Sequence, residues 1–326
     1  MTEAGLAVFL GALAATKSVF EDQLQARAVD ADRIGEMRRG LRHGDGWSGF
    51  VPTSSGWVSL ALGGREERER FHTCLAGLSG RPLRSGALDI GDLDAATLSS
   101  ALQEWGIACL PVRPAAFANC VGGQWGDGDA MAAIASQLRP RLMLAGVRIV
   151  SFGQLISAPL AAALFRACGA EVVAVAHPRR LDSVVYGPMP QPLDLASRDG
   201  RREAARLCRR ADLVVDNVRP RVWTNLGLVP SELSGVHLSL PAFPWRDTLR
   251  RNFKAYGFQM EALFGAGLQP VRTVGGPVTA PRSALLDHSV GLSAFVAGAG
   301  TLLSGRVGRV ELSHVDVLAA AGVGAS

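Results

Sequence analysis

The chain alternates between short apolar runs and longer stretches with helical spacing. Val147-Arg-Ile-Val-Ser-Phe is one such run, and Glu171-Val-Val-Ala-Val-Ala is another. Between them Ala158 to Cys168 is an apolar helix, stopped at Gly169-Ala170. Short apolar runs bounded by turn residues are the pattern of strands buried on both faces. Two strands joined by one helix must be parallel, with a right-handed crossover. Arg201 to Arg210 supplies the next helix, Asp212-Leu-Val-Val-Asp-Asn the next strand, and Val236-His-Leu-Ser-Leu a further one. Residues 141–326 therefore read as a Rossmann-like, doubly wound, mostly parallel sheet domain of the α/β class. Ligands are expected at the carboxyl ends of its strands.

Residues 1–140 read differently, as a smaller α+β domain. Helical periodicity covers residues 5–28 and 66–79, the second with Glu-Glu-Arg-Glu-Arg as its solvated face. Gly56-Trp-Val-Ser-Leu-Ala-Leu is a strand entered from the turn near Asp45-Gly46. Asp94 to Trp105 is a helix capped at Asp94 or Thr97, and Gly106-Ile-Ala-Cys-Leu-Pro-Val leaves it as a strand. Gly122-Gly-Gln-Trp-Gly-Asp-Gly-Asp is a linker or exposed loop. No constellation of catalytic residue types falls in this half.

Composition narrows the function classes. The 326 residues are 48% hydrophobic and 19% charged, which is ordinary for a folded globular chain. The net charge of +5 comes almost wholly from arginine, since Lys17 and Lys254 are the only lysines. The arginines do not interleave with aromatic residues as a nucleic-acid platform requires, so no nucleic-acid partner is expected. A small molecule carrying phosphates remains compatible. The apolar stretch from Gly5 to Ala15 follows Glu3 and lacks a basic leader, so it reads as a packed helix rather than a signal peptide. No other run approaches a membrane span, and a cytoplasmic protein without membrane association is the expectation. Cys74, Cys109, Cys120, Cys168 and Cys208 are odd in number and lack C-x-x-C pairing. They read as small buried hydrophobes, with no metal site and no disulfide framework.

The turn after the first strand of the sheet domain is Phe152-Gly-Gln-Leu-Ile-Ser-Ala-Pro, without G-x-G-x-x-G. Standard binding of a nicotinamide or flavin dinucleotide is thus not expected, and there is no Walker lysine motif. Instead the chain resembles the family III coenzyme A transferases, a group that includes formyl-CoA transferase, carnitine CoA-transferases and α-methylacyl-CoA racemase. The residues that carry the resemblance are Leu144-Ala-Gly-Val-Arg-Ile-Val-Ser-Phe, Ala158-Pro, Cys168-Gly-Ala-Glu-Val-Val-Ala-Val, Pro192-Leu-Asp-Leu and Ala211-Asp-Leu-Val-Val-Asp-Asn-Val-Arg-Pro. Leu226-Gly-Leu, Lys254-Ala-Tyr and Ser283-Ala-Leu-Leu-Asp-His-Ser-Val-Gly continue it in order. Gly56 to Leu62 and Trp105 to Arg113 are similar to the family's smaller domain, which usually follows the sheet domain. Here they precede it, which marks a rearranged or permuted member.

The resemblance implies an acyl-CoA:carboxylate CoA-transferase. In the family an aspartate attacks the acyl thioester to give a mixed anhydride, the coenzyme thiolate returns, and a new carboxylate takes over. Asp287 falls where that aspartate sits, ahead of Gly291. A carboxylate nucleophile suits the chemistry because its acyl anhydride is as activated as the thioester itself. Read locally, Asp287 is equally an N-cap for a helix from Ser289 to Leu303, and both roles are compatible. His288 is a proton carrier or a plain exposed residue. For the coenzyme, the resemblance points to Ile156 and Ser157, His177, Leu193 and Asp194, Asn217, Val218 and Arg219, and Lys254, Ala255 and Tyr256. Arg179, Arg180 and Arg219 carry guanidinium forks suited to phosphates, or are solvated surface arginines. Lys254 is either a point charge for a phosphate or acyl carboxylate, or a surface lysine.

The implied partners are an acyl-CoA and a carboxylic acid, with the coenzyme A thioester as substrate and no permanently bound cofactor. A homodimer is expected from the family. Three departures stand out: the connection Leu181 to Gln191 lacks the family's basic stretch, Leu240-Pro-Ala-Phe-Pro-Trp replaces a Ser-Gly-Phe-Gly motif, and only Gly122 to Gly128 offers a glycine-rich lid. Alternatives on the same scaffold are an isomerase or racemase, a dehydratase or other acyl-modifying enzyme, or a noncatalytic acyl-CoA-binding homologue. In the racemase subgroup a histidine and an aspartate share proton transfer at the α-carbon, and the position matching that histidine holds Tyr256.

Overall fold

The structure is a computed structural model that describes residues 47–79, 90, 92–112, 144–176, 191–264 and 285–320. The helix expected over 5–28, the loop at 122–129, the connection 181–190, Cys120, His177, Arg179 and Arg180 lie outside the described residues, as does the expected domain boundary near residue 140. The described residues form two compact units. One comprises 144–252 and 287–317, and the other 47–112, 253–264 and 285–286 with 318–320.

In the second unit, β1 (Trp47–Thr53), β2 (Gly56–Leu62) and β3 (Ala108–Val112) form an antiparallel sheet in the order β1-β2-β3. Helix α1 (Arg65–Ser79) and α2 (Ala95–Glu104) bury Phe71, Leu75, Leu98 and Leu102 with Val58 and Leu60 of β2. Asp94 is the N-cap of α2, its Oδ1 accepting from the Ala96 and Thr97 amides. The cap is therefore Asp94 and not Thr97. A later segment, α6 (Gly257–Leu263), joins this sheet: the Gln259 amide donates to the Ser59 and Ala108 carbonyls at 3.0 and 3.1 Å. A buried glutamine is tolerated because those backbone acceptors satisfy it.

The first unit is built on β4 (Arg148–Phe152), β5 (Glu171–Ala176), β6 (Gln191–Pro192), β7 (Leu213–Asp216), β8 (Val236–Ser239) and β9 (Gly308–Glu311). They pair in the order β6-β5-β4-β7-β8-β9, every pair parallel. Counted within the unit this is 3-2-1-4-5-6, an order of the doubly wound class expected from the sequence. Successive residues of each strand face opposite layers. Val150, Phe152 and Val214 pack on α4 (Arg198–Arg210) and α5 (Pro220–Leu226) through Ala204, Cys208 and Trp223. On the other side, α3 (Ser157–Ala167) meets the long α7 (Leu285–Leu303), with the Phe165 and Phe295 rings 5.1 Å apart. The chain ends its described part in α8 (His314–Ala320).

Helix α7 departs from expectation in two ways. It starts at Leu285 rather than Ser289, so Asp287 is its third residue and not its N-cap. Its residues 286–303 are also long and apolar enough, by length and composition, to cross a membrane. Within that stretch Val290, Ala294, Phe295 and Ala299 are buried. Cys74, Cys109, Cys168 and Cys208 are buried free thiols, as read from the sequence.

Candidate functional site

In an open parallel sheet the crevice opens where neighbouring strands send their connections to opposite faces. Here that point lies between the carboxyl ends of β4 and β7, which pair through Phe152 and Asp216. The turn after β4 is tight: Leu155 takes a left-handed φ of 61° and is 39% exposed. For a leucine this conformation costs about 1–2 kcal/mol. Ile156 is the N-cap of α3 without a side-chain capping bond, and Ser157 is its buried first residue.

Asn217, just past β7, holds this turn across the switch point. Its Oδ1 accepts from the Gln154 amide at 3.1 Å, and its Nδ2 donates to the Gln154 carbonyl at 2.7 Å and to Ser157 Oγ at 3.1 Å. The side chain thus pairs with a peptide as a neighbouring strand would. Val218 donates its amide to Asp216 Oδ1 at 3.0 Å, and Arg219 is the N-cap of α5 with Pro220 in its first turn. Five of the residues named from the resemblance, Ile156, Ser157, Asn217, Val218 and Arg219, are thereby gathered at one crevice.

Asp287 belongs to the same unit. Four residues along α7, Gly291 passes so close to α3 that a Cβ there would lie 2.7 Å from the Ser157 carbonyl oxygen. Residues four apart share a helical face, so Asp287 is on the face of α7 that meets the start of α3. Its place in the first turn is electrostatically favourable for a carboxylate. Its partner is His314: the ring Nε2 is 2.9 Å from Asp287 Oδ1, and Nδ1 is 3.2 Å from the Pro241 carbonyl oxygen. The contact is mostly shielded from water, the two side chains being 16% and 7% exposed. His288, by contrast, is only half-buried and next in sequence.

The remaining named residues are elsewhere. Leu193 and Asp194 follow the end of β6, where Asp194 Oδ1 accepts from the Ala196 amide. Lys254, Ala255 and Tyr256 belong to the other unit. There Lys254 Nζ is 2.6 Å from Glu67 Oε1, and its backbone pairs with the Gln103 amide in both directions. Burial alone would raise the Glu67 carboxyl. The Lys254 ammonium, the Gly63 amide and the Arg70 guanidinium outweigh it and hold the carboxyl below its usual value. The Lys254 ammonium also lies 5.6 Å from the Tyr256 ring centroid.

Two histidines escape a reading of the sequence. His314 follows β9, and the signal for it is Ser313-His-Val-Asp316: Ser313 Oγ accepts from the Asp316 amide and Asp316 Oδ2 from the Ser313 amide, a reciprocal cap that fixes where α8 begins. His237 is inside β8, with Nε2 2.6 Å from Asp216 Oδ2 and both side chains essentially inaccessible. Trp223 packs edge-on against its ring at 4.6 Å. Among the described residues no group of three or more His, Cys, Asp or Glu side chains is arranged to hold a metal ion.

The family model described as CoA-transferase family III matches residues 144–320. The chain belongs to that family. The match spans over half of the 326 residues and includes the whole β4 to β9 sheet and α7. The CoA-transferase/lyase DddD of Marinomonas sp. is 32% identical over 127 residues, covering 35% of this chain and 15% of that protein. The chain thus corresponds to a small part of that relative. A hypothetical protein from Mycobacterium tuberculosis is similar at 24% identity with a TM-score of 0.47, covering 54% of this chain and 56% of that one. A CAIB/BAIF family protein from Brucella suis is similar at 18% identity with a TM-score of 0.44, covering 54% of each chain. Family membership makes an enzyme acting on coenzyme A thioesters the class to which this chain is related.

Proposed function

We propose that this chain moves coenzyme A from an acyl-CoA to a carboxylic acid, with Asp287 as the acyl-accepting carboxylate. The observation that carries the reading is the placement of Asp287. It is a shielded carboxylate in the first turn of α7, on the face that meets Ser157 at the switch point, with one oxygen engaged by His314. A carboxylate attacking a thioester forms an anhydride of comparable reactivity, so the energy of the thioester is retained for the next acceptor. Ile156, Ser157, Asn217, Val218 and Arg219 are the proposed coenzyme contacts of this unit, with His177, Arg179 and Arg180 after β5. Leu193 and Asp194 complete the proposed set in this unit, while Lys254, Ala255 and Tyr256 belong to the other unit. Incubation with a panel of acyl-CoA thioesters and hydroxylamine, followed by peptide mass spectrometry, tests the reading. A hydroxamate at Asp287 that is absent from Asp287→Asn supports it; an unmodified Asp287 with every thioester refutes it.

The Asp287–His314 pair also favours a second reading, proton transfer at the α-carbon of a thioester. A carboxylate and an imidazole joined by one hydrogen bond are a competent acid–base pair. Deuterium uptake at the α-carbon without acyl exchange distinguishes this from transfer.

A further inference from the structure

We propose that His314 is the oxyanion-stabilising residue for the half-reaction in which coenzyme A is loaded onto Asp287. The assignment rests on the transfer reading and adds to it the group that makes one particular step fast.

The ring is held from two sides. Its Nδ1 faces the Pro241 carbonyl oxygen, and the His314 backbone amide donates to the same oxygen at 3.0 Å. A carbonyl oxygen only accepts, so Nδ1 carries a hydrogen. Its Nε2 faces Asp287 Oδ1 at 2.9 Å. One further proton therefore lies between Nε2 and Oδ1. With Oδ1 engaged, Oδ2 is the oxygen left to attack.

In the first step Asp287 Oδ2 bonds to the thioester carbonyl carbon, the carbon–sulfur bond breaks, and the electron pair leaves on the coenzyme thiolate. Oδ1 is now the carbonyl oxygen of an anhydride, which only accepts. The shared proton then sits on Nε2, and the doubly protonated ring points at Oδ1. In the second step the thiolate attacks Cγ of Asp287. The negative charge of the tetrahedral intermediate falls on Oδ1, within the 2.7–3.1 Å at which a preorganised donor acts. Collapse breaks the bond from Cγ to Oδ2, the donor acid leaves as a carboxylate, and an aspartyl-CoA thioester remains. The proton stays on Nε2 throughout. The charge on Oδ1 develops only when Cγ is attacked. In the first step it develops on the thioester oxygen instead, so His314 acts selectively on coenzyme loading.

The test is rapid-quench intact-protein mass spectrometry of the full chain with acetyl-, propionyl- and succinyl-CoA, which resolves an acyl adduct from a coenzyme adduct. In His314→Leu the acyl adduct is expected to form within a few-fold of the wild-type rate, and the coenzyme adduct to form about 10²–10³-fold more slowly. His314→Gln, whose amide nitrogen can donate near the position of Nε2, is expected to recover much of the loss. Should the leucine variant not fold, His314→Phe keeps the ring volume without a donor. Equal coenzyme loading in wild type and variant overturns the proposal alone. So does equal slowing of both adducts, which is the mark of a merely structural role. No adduct of either kind on the wild-type protein overturns the transfer reading and this proposal with it.

Discussion

Gly291 and Ser157 approach so closely that a methyl group on Gly291 would sit 2.7 Å from the Ser157 carbonyl oxygen and 3.1 Å from a Leu160 methyl. The obstructing oxygen belongs to backbone inside a helix and cannot swing aside. Seven residues on, a Cβ at Gly298 would meet Phe165 at 2.7 Å and Leu238 at 2.9 Å. These two glycines seat α7 against α3 and the sheet. Gly291→Ala is expected to destabilise the protein by about 1–3 kcal/mol, seen as a lower urea midpoint. Gly300, exposed on the same helix, where a Cβ would meet nothing within 4 Å, is the control. Gly300→Ala should stabilise the protein by about 0.5–1 kcal/mol, seen as a higher midpoint.

Asn217 is expected to govern ligand affinity through the turn it holds. Asn217→Ala removes the paired bonds to Gln154 and the bond to Ser157, at a cost of about 1–2 kcal/mol in stability. Asn217→Asp can still accept from the Gln154 amide but cannot donate to its carbonyl. It should therefore fare no better. Calorimetric titration with coenzyme A should show roughly tenfold weaker binding for both variants.

The Glu67–Lys254 pair predicts an acid-sensitive second unit. Because the folded Glu67 carboxyl is held below 4.5, its contribution to stability is fully present above that pH and is lost as pH falls through the folded value. Glu67→Gln should flatten the stability curve between pH 5 and the acid limit, measured by urea melts across that range. Lys254→Met leaves the shielded carboxylate, among the described residues, with Gly63 and Arg70. It should cost about 1–3 kcal/mol at neutral pH.

Burial pushes the Cys208 thiol up to about 12, and raises Cys109 further from ionisation. Thiolate is the reactive form, so neither should react with iodoacetamide at pH 8 while the protein is folded. Peptide mapping before and after denaturation checks this. Labelling of Cys208 in the native state would contradict the packing beneath α4.

The sheet is legible in the sequence because β4, β5, β7 and β8 are short apolar runs, with β7 and β8 buried along their whole length. β9 is not, since Gly308-Arg-Val-Glu lies at an edge and carries the polarity of an exposed strand. β1, Trp47–Thr53, is not legible either, as its Gly and Pro weaken any strand signal. The beginning of α7 lies ahead of the position its local sequence indicates, for a nonlocal reason. Glu261 Oε1 accepts from the Leu286 amide at 2.8 Å, so a carboxylate from 25 positions earlier satisfies an N-terminal donor. No local pattern encodes that bond. The residues at the switch point were accessible through resemblance, whereas His314 meets Asp287 only once β9 is added beside β8.

The return of the chain at α7 and β9 bears on how this protein can be divided. The sheet unit is interrupted after residue 252, and its last helix and edge strand are encoded only after the segment that contributes α6 to the other unit. Neither unit is a contiguous cassette. A cut at the interruption would separate Asp287 and His314 from Ser157 and Asn217 in the gene, so recombination that shuffled one unit intact would have to move several separate stretches of DNA together.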